Sequence, residues 1–294
     1  MQRTADLHLH STASDGSDRP AVVVRRAAEM GFSAMALADH DTMGGIPEAI
    51  AEAEVVGIEI IPAVEYSTLD GEREIHVLGY GLDPADPVLE RELGRLCAGR
   101  LNRAQLMVEK LNDMGVSVRW ERVQQIAGDD NVGRPHVARA MQEAGIIKDL
   151  KDAFTEEFIA SGGRAYVERV KITPEESIAQ IRAAGGVAVL AHPGRFRGDD
   201  DQIGDEIIER YISAGLEGIE IFYPRHTEAM ITHYRAMAQR HHLVATGGSD
   251  DHGLNSEAAL IGRIELPYEY VEILKTAIKA SQERRVAYAG NAGR

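Results

Sequence analysis

Seven short apolar segments alternate with stretches of helical spacing along the 294 residues of this chain. Their composition and spacing predict strands at 5–10, 33–38, 58–64, 74–80, 186–191, 218–222 and 243–246. Alternating strands and helices favour a mainly parallel sheet, and about seven such units favour an α/β fold of the distorted (β/α)7, TIM-like barrel type. In these barrels the side chains that carry chemistry collect at the carboxyl ends of the strands.

Residues able to bind a metal ion lie at or just after most of these predicted strands. Six are histidines and three are carboxylates: His8, His10, Asp15, His40, Glu65, His76, His192, Asp250 and His252. This mixture of nitrogen and oxygen favours Zn²⁺, Mn²⁺ or Fe²⁺ over Ca²⁺ or Mg²⁺, which prefer all-oxygen shells. Nine ligands are too many for one tetrahedral ion, so we expect a cluster of two or three ions, and such clusters hydrolyse phosphate esters.

The local patterns around these residues support the metal interpretation. His8 and His10 are two apart on a predicted strand, so both imidazoles project to the same face. Glu65 follows an apolar strand, where an unpaired carboxylate is costly, and a bridge between two ions would satisfy it. Asp39 and Asp41 flank His40, and we interpret them as acceptors that orient imidazoles rather than as ligands.

The strand rhythm stops between residues 84 and 169, where the periodicity is helical at 89–114, 136–144 and 150–160. We therefore expect a barrel formed by 1–83 and 170–294, with 84–169 inserted as helices over the strand ends. Insertions at that place often act as lids and set specificity; the alternative is a passive helical subdomain. The barrel resumes at Thr173-Pro174-Glu175-Glu176, which predicts a helix start with a capping box.

Arginines near the predicted site are candidates for binding a substrate phosphate. Arg134 begins a helix, a natural place for an anion, and Arg195 follows His192 closely. His136 is a further candidate in the same helix start. Arg164 is a weaker one, since an ordinary surface position is the favoured interpretation for it.

The overall composition limits the classes of partner. A formal net charge of −15 argues against binding long duplex nucleic acid, although a small anionic substrate is still compatible with it. We find no apolar run near the roughly 20 residues of a membrane span and no segment typical of a signal peptide. The single cysteine, Cys97, fits a reducing compartment, so we expect a cytoplasmic protein.

We expect surface or helix-end roles for His226, His233, His241 and His242.

Taken together, these motifs resemble the PHP (polymerase and histidinol phosphatase) family of the amidohydrolase superfamily. The resemblance rests on Ala5-Asp6-Leu7-His8-Leu9-His10-Ser11, Asp15-Gly16, Leu37-Ala38-Asp39-His40-Asp41, Glu65, His76, Ala191-His192-Pro193-Gly194 and Gly248-Ser249-Asp250-Asp251-His252. It implies a distorted seven-stranded barrel with a trinuclear metal centre. The three implied ligand sets are His8, His10, Glu65 and Asp250; Glu65, His76 and His192; and Asp15, His40 and His252.

The insertion containing Arg134, together with Arg195, is similar to the nucleotide-directed branch of that family. Members of this branch remove the 3′-phosphate of nucleoside 3′,5′-bisphosphates, and relatives trim short RNA from its 5′ end. The resemblance implies that Arg134 and Arg195 grip substrate phosphate. One position departs from the pattern, because the family resemblance implies a lysine where this chain has Arg164.

We therefore predict a phosphoesterase that converts adenosine 3′,5′-bisphosphate to AMP and phosphate by attack of a metal-activated hydroxide, without a phosphoenzyme. The residues expected to take part in catalysis are Glu65, His192, Asp250, Arg134 and Arg195. Three alternatives stay open at this point. They are a 5′-3′ exonuclease on short 5′-phosphorylated oligoribonucleotides, a histidinol-phosphate phosphatase, and a non-catalytic nucleotide-sensing module.

Overall fold

The computed structural model describes residues 3–128, 132–168, 172–194, 202–255 and 260–292. The strands are β1 Thr4–Leu9, β2 Ala34–Leu37, β3 Glu59–Asp70, β4 Arg73–Tyr80, β5 Val187–Leu190, β6 Gly218–Phe222, β7 Val244–Gly247 and β8 Leu266–Pro267. The helices are α1 Pro20–Glu29, α2 Ile46–Val56, α3 Pro87–Asp113, α4 Trp120–Ala127, α5 Arg134–Glu143, α6 Pro174–Ala183, α7 Asp205–Ser213, α8 Glu228–His241 and α9 Tyr268–Ala292. All seven predicted strands are present, and the two-residue β8 is an addition.

The strands form one sheet in the order β7-β6-β5-β4-β3-β2-β1-β8. The pairs β1–β2, β2–β3, β5–β6 and β6–β7 are parallel. Strand β4, however, runs antiparallel to both β3 and β5, and β8 runs antiparallel to β1. Only two residues separate Asp70 from Arg73, and Gly71 has a φ of 61°, so β3 and β4 form a tight hairpin.

The sheet curves until its two ends nearly meet. The residues after β7 approach the end of β1, where Leu9 and Asp251 form a parallel bridge. Asp250 N donates to His8 O at 2.8 Å, and His10 N donates to Asp251 O at 3.1 Å. The expected α/β fold, a distorted TIM-like barrel, is thereby confirmed, and the seam that closes it carries predicted metal ligands from both ends of the sheet.

Alternate residues of the strands pack on opposite faces of the sheet. In β2, Met35 and Leu37 join a cluster with Val23 and Val24 of α1 and Ala49 of α2, between the sheet and its surrounding helices. The residues that alternate with these point into the barrel and form an interior cluster, to which the terminal helix α9 also contributes. The interior cluster includes Ala5, Leu7, Ala34, Ala36, Val189 and Leu274. Both clusters are built from apolar side chains at most 9% exposed, and burial of this kind is the dominant favourable term in folding.

Residues 104–165 contribute a further, separate apolar cluster formed by α3, α4, α5 and the turns that follow them. This separate core supports the division of the chain that we propose, with a barrel at 1–83 and 170–294 and a helical insertion at 84–169. The prediction of a helix at 150–160 was wrong, because only the 3₁₀ helix Leu150–Ala153 forms there and turns follow it. Helix α4 was not anticipated.

Thr173 caps α6 as predicted. Its hydroxyl accepts from Glu176 N at 3.2 Å, and the Glu176 carboxylate accepts from Thr173 N at 2.8 Å. Within the described ranges, no helix is both long enough and apolar enough to cross a membrane.

Candidate metal centre

The structure brings all nine predicted ligands to one end of the barrel. Their donor atoms form three overlapping groups, in each of which the atoms lie within 4.8 Å of one another. The groups are His8, Glu65, His192 and Asp250; His40, Glu65 and His76; and His10, Asp15, His40 and His252. Residues from six strands or the loops after them therefore converge, as the barrel geometry predicts.

An irregularity in β1 turns His8, and His10 directly after the strand, toward this cluster. Asp6 pairs with Met35 and Leu9 pairs with Leu37, so β1 has one residue more than β2 between these points. A β-bulge of this kind changes which face the following side chains occupy. Leu7 accordingly belongs to the interior cluster, whereas Leu9 packs toward the helices. With Leu9 facing outward, the alternating positions of His8 and His10 face the interior.

The Glu65 carboxylate lies among five imidazoles. Its Oε1 is 2.8 Å from Nδ1 of His76 and 3.0 Å from Nε2 of His192. Its Oε2 lies near three further ring nitrogens, at 3.3 Å from His8 Nε2, 3.2 Å from His10 Nε2 and 3.2 Å from His40 Nδ1. Strand β3 extends to Asp70, so Glu65 lies within a strand rather than after one.

Asp15 and His252 form a second part of the cluster, beside His10. An Asp15 oxygen lies 3.2 Å from Nε2 of His252 and another lies 3.9 Å from Nε2 of His40. The rings of His10 and His252 stack with centroids 4.0 Å apart. Asp250 joins the two parts, since its Oδ1 is 3.2 Å from His10 Nε2 and 3.6 Å from His252 Nδ1.

The donor set fits divalent ions. Within the described residues, Nε2 of His8, both ring nitrogens of His10 and Oε2 of Glu65 are buried and make no hydrogen bond. Buried polar atoms are normally satisfied, so these atoms require another partner. Two ligand atoms that each lie about 2.1 Å from one tetrahedral ion are about 3.4 Å apart. The separations of 3.2–3.3 Å around Glu65 Oε2 match that spacing.

The electrostatics of the cluster keep two carboxylates ionised. Burial by itself raises the pKa of Glu65, but neighbouring imidazoles, above all His76, outweigh it and hold that pKa well below its usual range. Burial likewise opposes ionisation of Asp15, and His40 and His252 lower its pKa well below the ordinary value. Both carboxylates are therefore charged at neutral pH and favour cations beside them.

Strained backbone positions hold several of these residues in place. Asp41, His192 and Asp250 have φ values of 55°, 27° and 56°, in a region that L residues seldom adopt. A Cβ on Gly248 would lie 2.3 Å from His8 Cβ, so only glycine permits this approach between the β7 end and β1. Strain of this kind persists where the surrounding structure enforces it, typically at functional sites.

Glu220, which sequence reasoning missed, positions two of the predicted ligands. It is fully buried in β6; its Oε1 is 3.1 Å from Nδ1 of His8, and its Oε2 accepts from His192 N at 2.8 Å. Burial raises its pKa, against the opposing effect of His8. The available signal was a lone carboxylate inside the apolar strand 218–222. Carboxylates in this position orient metal-binding imidazoles.

The two aspartates beside His40 differ from the expected role. Asp39 accepts from the backbone and hydroxyl of Ser11 at 2.8 and 2.7 Å and from the Ser14 hydroxyl at 2.7 Å, so it fixes the loop that carries Asp15. Asp41 binds Ser67 N at 2.9 Å and Arg100 Nε at 2.6 Å. Both therefore act on the backbone and loops around the cluster rather than directly on an imidazole.

Arg134 lies beside the cluster, at the start of α5. Its guanidinium donates to Glu74 at 2.8 Å, and the other oxygen of Glu74 is 3.3 Å from Nε2 of His76. His136 is buried, and its Nδ1 accepts from Gly133 N at 2.9 Å, which caps the helix. Arg195 lies outside the described residues.

Other sequence candidates lie away from the cluster. Arg164 is exposed and is not among the described residues that line the central cavity. His226, for which a surface or helix-end role was expected, lies just before α8 and is buried; its Nδ1 is 2.8 Å from Ile221 O and its Nε2 accepts from Gly194 N at 3.1 Å. It thus supports the turn that follows His192. His233 is exposed and lies 2.8 Å from Asp205.

A central cavity of about 610 Å³ lies between the cluster and the insertion. Its barrel side includes Asp15, His40, His76, His192, Asp250 and His252, and its insertion side includes Arg100, Arg103, Met107, Val132, Arg134 and Phe154. Arg225 also lines it, from the loop before α8. Sequence reasoning missed Arg100, Arg103 and Arg225, because no local pattern distinguishes them from surface arginines.

Comparisons with known proteins agree with this architecture. A family model described as "PHP domain" matches residues 6–168. A 3′,5′-nucleoside bisphosphate phosphatase of Chromobacterium violaceum is 35% identical over 270 residues, which cover 88% of this chain and 91% of that protein. The 5′-3′ exoribonuclease Rnm of Salmonella typhimurium is 34% identical over 249 residues, covering 84% of each.

A solved structure extends the likeness to three dimensions. A candidate metal-dependent phosphoesterase from Bifidobacterium adolescentis superposes with a TM-score of 0.86 at 29% identity, covering 94% of this chain and 96% of the other. The family match spans more than half of the chain and the relatives match along most of it. This protein therefore belongs to the PHP family and is a metal-dependent hydrolase of phosphoesters.

Proposed function

We propose that this protein removes the 3′-phosphate of nucleoside 3′,5′-bisphosphates, converting adenosine 3′,5′-bisphosphate to AMP and phosphate. The observation that carries the proposal is the placement of Arg134 beside the buried ligand cluster, on the wall of one cavity. The 35% identity to the Chromobacterium violaceum bisphosphate phosphatase over most of both chains supports the same substrate class.

Two or three divalent ions, Mn²⁺, Fe²⁺ or Zn²⁺, would be held by the nine ligands. Glu65 would bridge ions, because its two oxygens lie close to different imidazoles. The groups within 4.8 Å differ from the sets implied by the family resemblance at three residues. His10 is associated with Asp15 and His252, His192 with His8 and Asp250, and His40 also with Glu65 and His76. Since His10 Nε2 is also 3.2 Å from Glu65, either association is compatible with the same cluster.

Bound divalent ions would supply positive charge that attracts a phosphate group and a water of lowered pKa as the nucleophile. Arg134 offers a planar guanidinium suited to two phosphate oxygens. Glu74 holds that guanidinium toward the cluster at 2.8 Å. The proton for the leaving alkoxide would come from His192 or from an aspartate beside the ligands, and Arg195 would be a further phosphate contact. No side-chain nucleophile is needed.

The second candidate is a 5′-3′ exonuclease on short 5′-phosphorylated oligoribonucleotides. The Salmonella typhimurium exoribonuclease matches this chain nearly as well as the phosphatase does. A bisphosphate also resembles the phosphorylated end of an oligonucleotide, so one cavity is able to accept both. The net charge of −15 makes a long duplex an unsuitable substrate.

The test compares initial rates of the Mn²⁺-loaded protein on adenosine 3′,5′-bisphosphate, histidinol phosphate and a 5′-phosphorylated RNA trimer. We expect the highest kcat/KM on the bisphosphate, with AMP and phosphate as products. A higher kcat/KM on the trimer would refute the phosphatase proposal in favour of the 5′-3′ exonuclease. Release of the 5′-phosphate from the bisphosphate would refute the proposed reaction, and preference for histidinol phosphate would refute both nucleotide assignments. Substituting Glu65→Gln controls for a contaminating phosphatase.

A further inference from the structure

Phe154 exposes its aromatic ring at the wall of the central cavity. The residue is 39% exposed and lines the cavity, although large apolar residues are usually withdrawn from water. Among the described residues, the other exposed large aromatic side chain is Tyr288 of α9, which does not line the cavity. The exposed Phe154 residue therefore lies where a ligand bound in the cavity would cover it.

The backbone around Phe154 is held firmly. Its N–H donates to Lys151 O at 3.0 Å, and Ile159 N donates to Ala153 O at 3.0 Å. Ala153 and Ile159 are fully buried in the apolar core of the insertion. The ring thus projects from an anchored turn, which gives it a defined place in the cavity.

The position of Phe154 connects it to the proposed phosphate site. The Cζ atom of Arg134 lies 5.9 Å from the centre of the Phe154 ring. The Arg134 guanidinium in turn donates a hydrogen bond to Glu74, and Glu74 lies beside His76 of the ligand cluster. A molecule with a phosphate at Arg134 and a flat ring near that phosphate would reach Phe154.

The rest of the cavity wall suits a flat apolar surface. Leu150 and Pro135 line it from the insertion, and Ile203 and Leu260 line it from the barrel. Ligand sites of this kind combine apolar walls with a few polar groups that set orientation. In this cavity the polar groups are the cluster and its arginines, and the apolar groups leave room for a base.

We propose that Phe154 is the stacking platform for the nucleobase of the substrate. This inference rests on the proposed function, because it assumes a nucleotide with a phosphate near Arg134. Stacking on an aromatic side chain tolerates every base, since each has a π face. The platform would therefore select nucleotides over phosphate esters that lack a base, without selecting among bases.

The experiment compares Phe154→Ala and Phe154→Tyr on two substrates. One is adenosine 3′,5′-bisphosphate and the other is its abasic analogue, 1′,2′-dideoxyribose 3′,5′-bisphosphate. We expect Phe154→Ala to lower kcat/KM on the first by roughly 5- to 140-fold, the range expected for loss of one base stack, mainly through KM. The abasic substrate should be unaffected, and Phe154→Tyr should retain most of the activity.

Leu106→Ala is the matched control, because Leu106 is 38% exposed on α3 and does not line the cavity. It should leave both substrates unchanged. Equal losses on the two substrates in Phe154→Ala, or no loss on either, would overturn the proposal.

A binding measurement separates this inference from the proposed function. Phe154→Trp places a tryptophan at the wall of the cavity, in addition to the single native Trp120, which does not line it. We expect AMP to quench its added fluorescence and the abasic bisphosphate to leave it unchanged, whether or not the bisphosphate is hydrolysed. Absence of quenching by saturating AMP would refute the platform. Failure of wild-type turnover alone would refute only the proposed reaction.

Discussion

The guanidinium Nε of Arg100 lies 2.6 Å from a carboxylate oxygen of Asp41. The same guanidinium donates to the Ser67 hydroxyl, which lies 3.1 Å from Nδ1 of His40. Arg100 belongs to the long helix α3 of the insertion, and Asp41 directly follows a predicted ligand. This ion pair, in which Asp41 is buried and Arg100 is 11% exposed, therefore joins the insertion to the floor of the cavity.

Arg100→Ala should lower the free energy of unfolding by roughly 3 kcal/mol, because it leaves Asp41 as an uncompensated buried charge. Urea denaturation of the metal-free protein measures this directly. The control is Arg95→Ala on the same helix, where the side chain is 51% exposed and lies 3.5 Å from Glu92. An exposed pair contributes at most about 1 kcal/mol. Equal effects of the two substitutions would contradict the role given to Arg100.

Glu65→Gln should reduce bound metal and phosphate release together. An amide lacks the charge and the second anionic oxygen needed to bridge ions, and even loss of an outer partner of a metal ligand costs about 10–100-fold. We expect a loss of at least about 100-fold in activity, with metal content measured by mass spectrometry. Glu72→Gln, at an exposed position of the β3–β4 hairpin, should retain both. Full metal content in Glu65→Gln would refute the bridging arrangement.

Arg134→Ala should raise KM for adenosine 3′,5′-bisphosphate by about 10- to 140-fold. A hydrogen bond to a charged group contributes about 1.5–3 kcal/mol, which sets that range. The measurement is steady-state phosphate release at saturating Mn²⁺. Arg122→Ala is the control, since Arg122 is exposed on α4 and pairs with Glu143 at 2.7 Å. An unchanged KM in Arg134→Ala would remove this residue from the substrate site.

Cys97 should react slowly with iodoacetamide at neutral pH. Burial, aided by the charge of Asp41, raises the pKa of its thiol to about 11. Because the thiolate is the reactive form, the native rate should rise about tenfold per pH unit up to about pH 11. In urea-denatured protein the rate should level off near the ordinary thiol pKa of about 8.5. A native plateau below pH 9 would contradict the raised pKa.

Much of the site was predictable because its signals are local. A histidine or carboxylate at or just after most of the apolar segments identified residues such as His40 and Asp250, and barrel topology implied that strand ends meet. The helix start at Thr173 was equally local, since its capping box spans four residues. The strand positions followed from short apolar runs of the usual length.

Features that depend on pairing between distant segments were not predictable in the same way. Strand β4 was expected in a mainly parallel sheet, yet it runs antiparallel to β5, where Val77 pairs with the distant Leu190. The bulge that redirects His8 arises from register with β2, which no local pattern in β1 specifies. Glu220 was missed because its partners lie 212 and 28 residues away.

The sequence by itself determined the chemistry available to this protein: the kinds of donor atom, their order, and the strands that carry them. Periodicity and capping act over a few residues, so a single chain is enough to reveal them. Only the tertiary structure decided which metal-ligand atoms lie close together, that Arg100 joins the insertion to Asp41, and that Phe154 lines the cavity. These relationships depend on packing between segments far apart in the chain, and the long-range pairing of strands sets that packing.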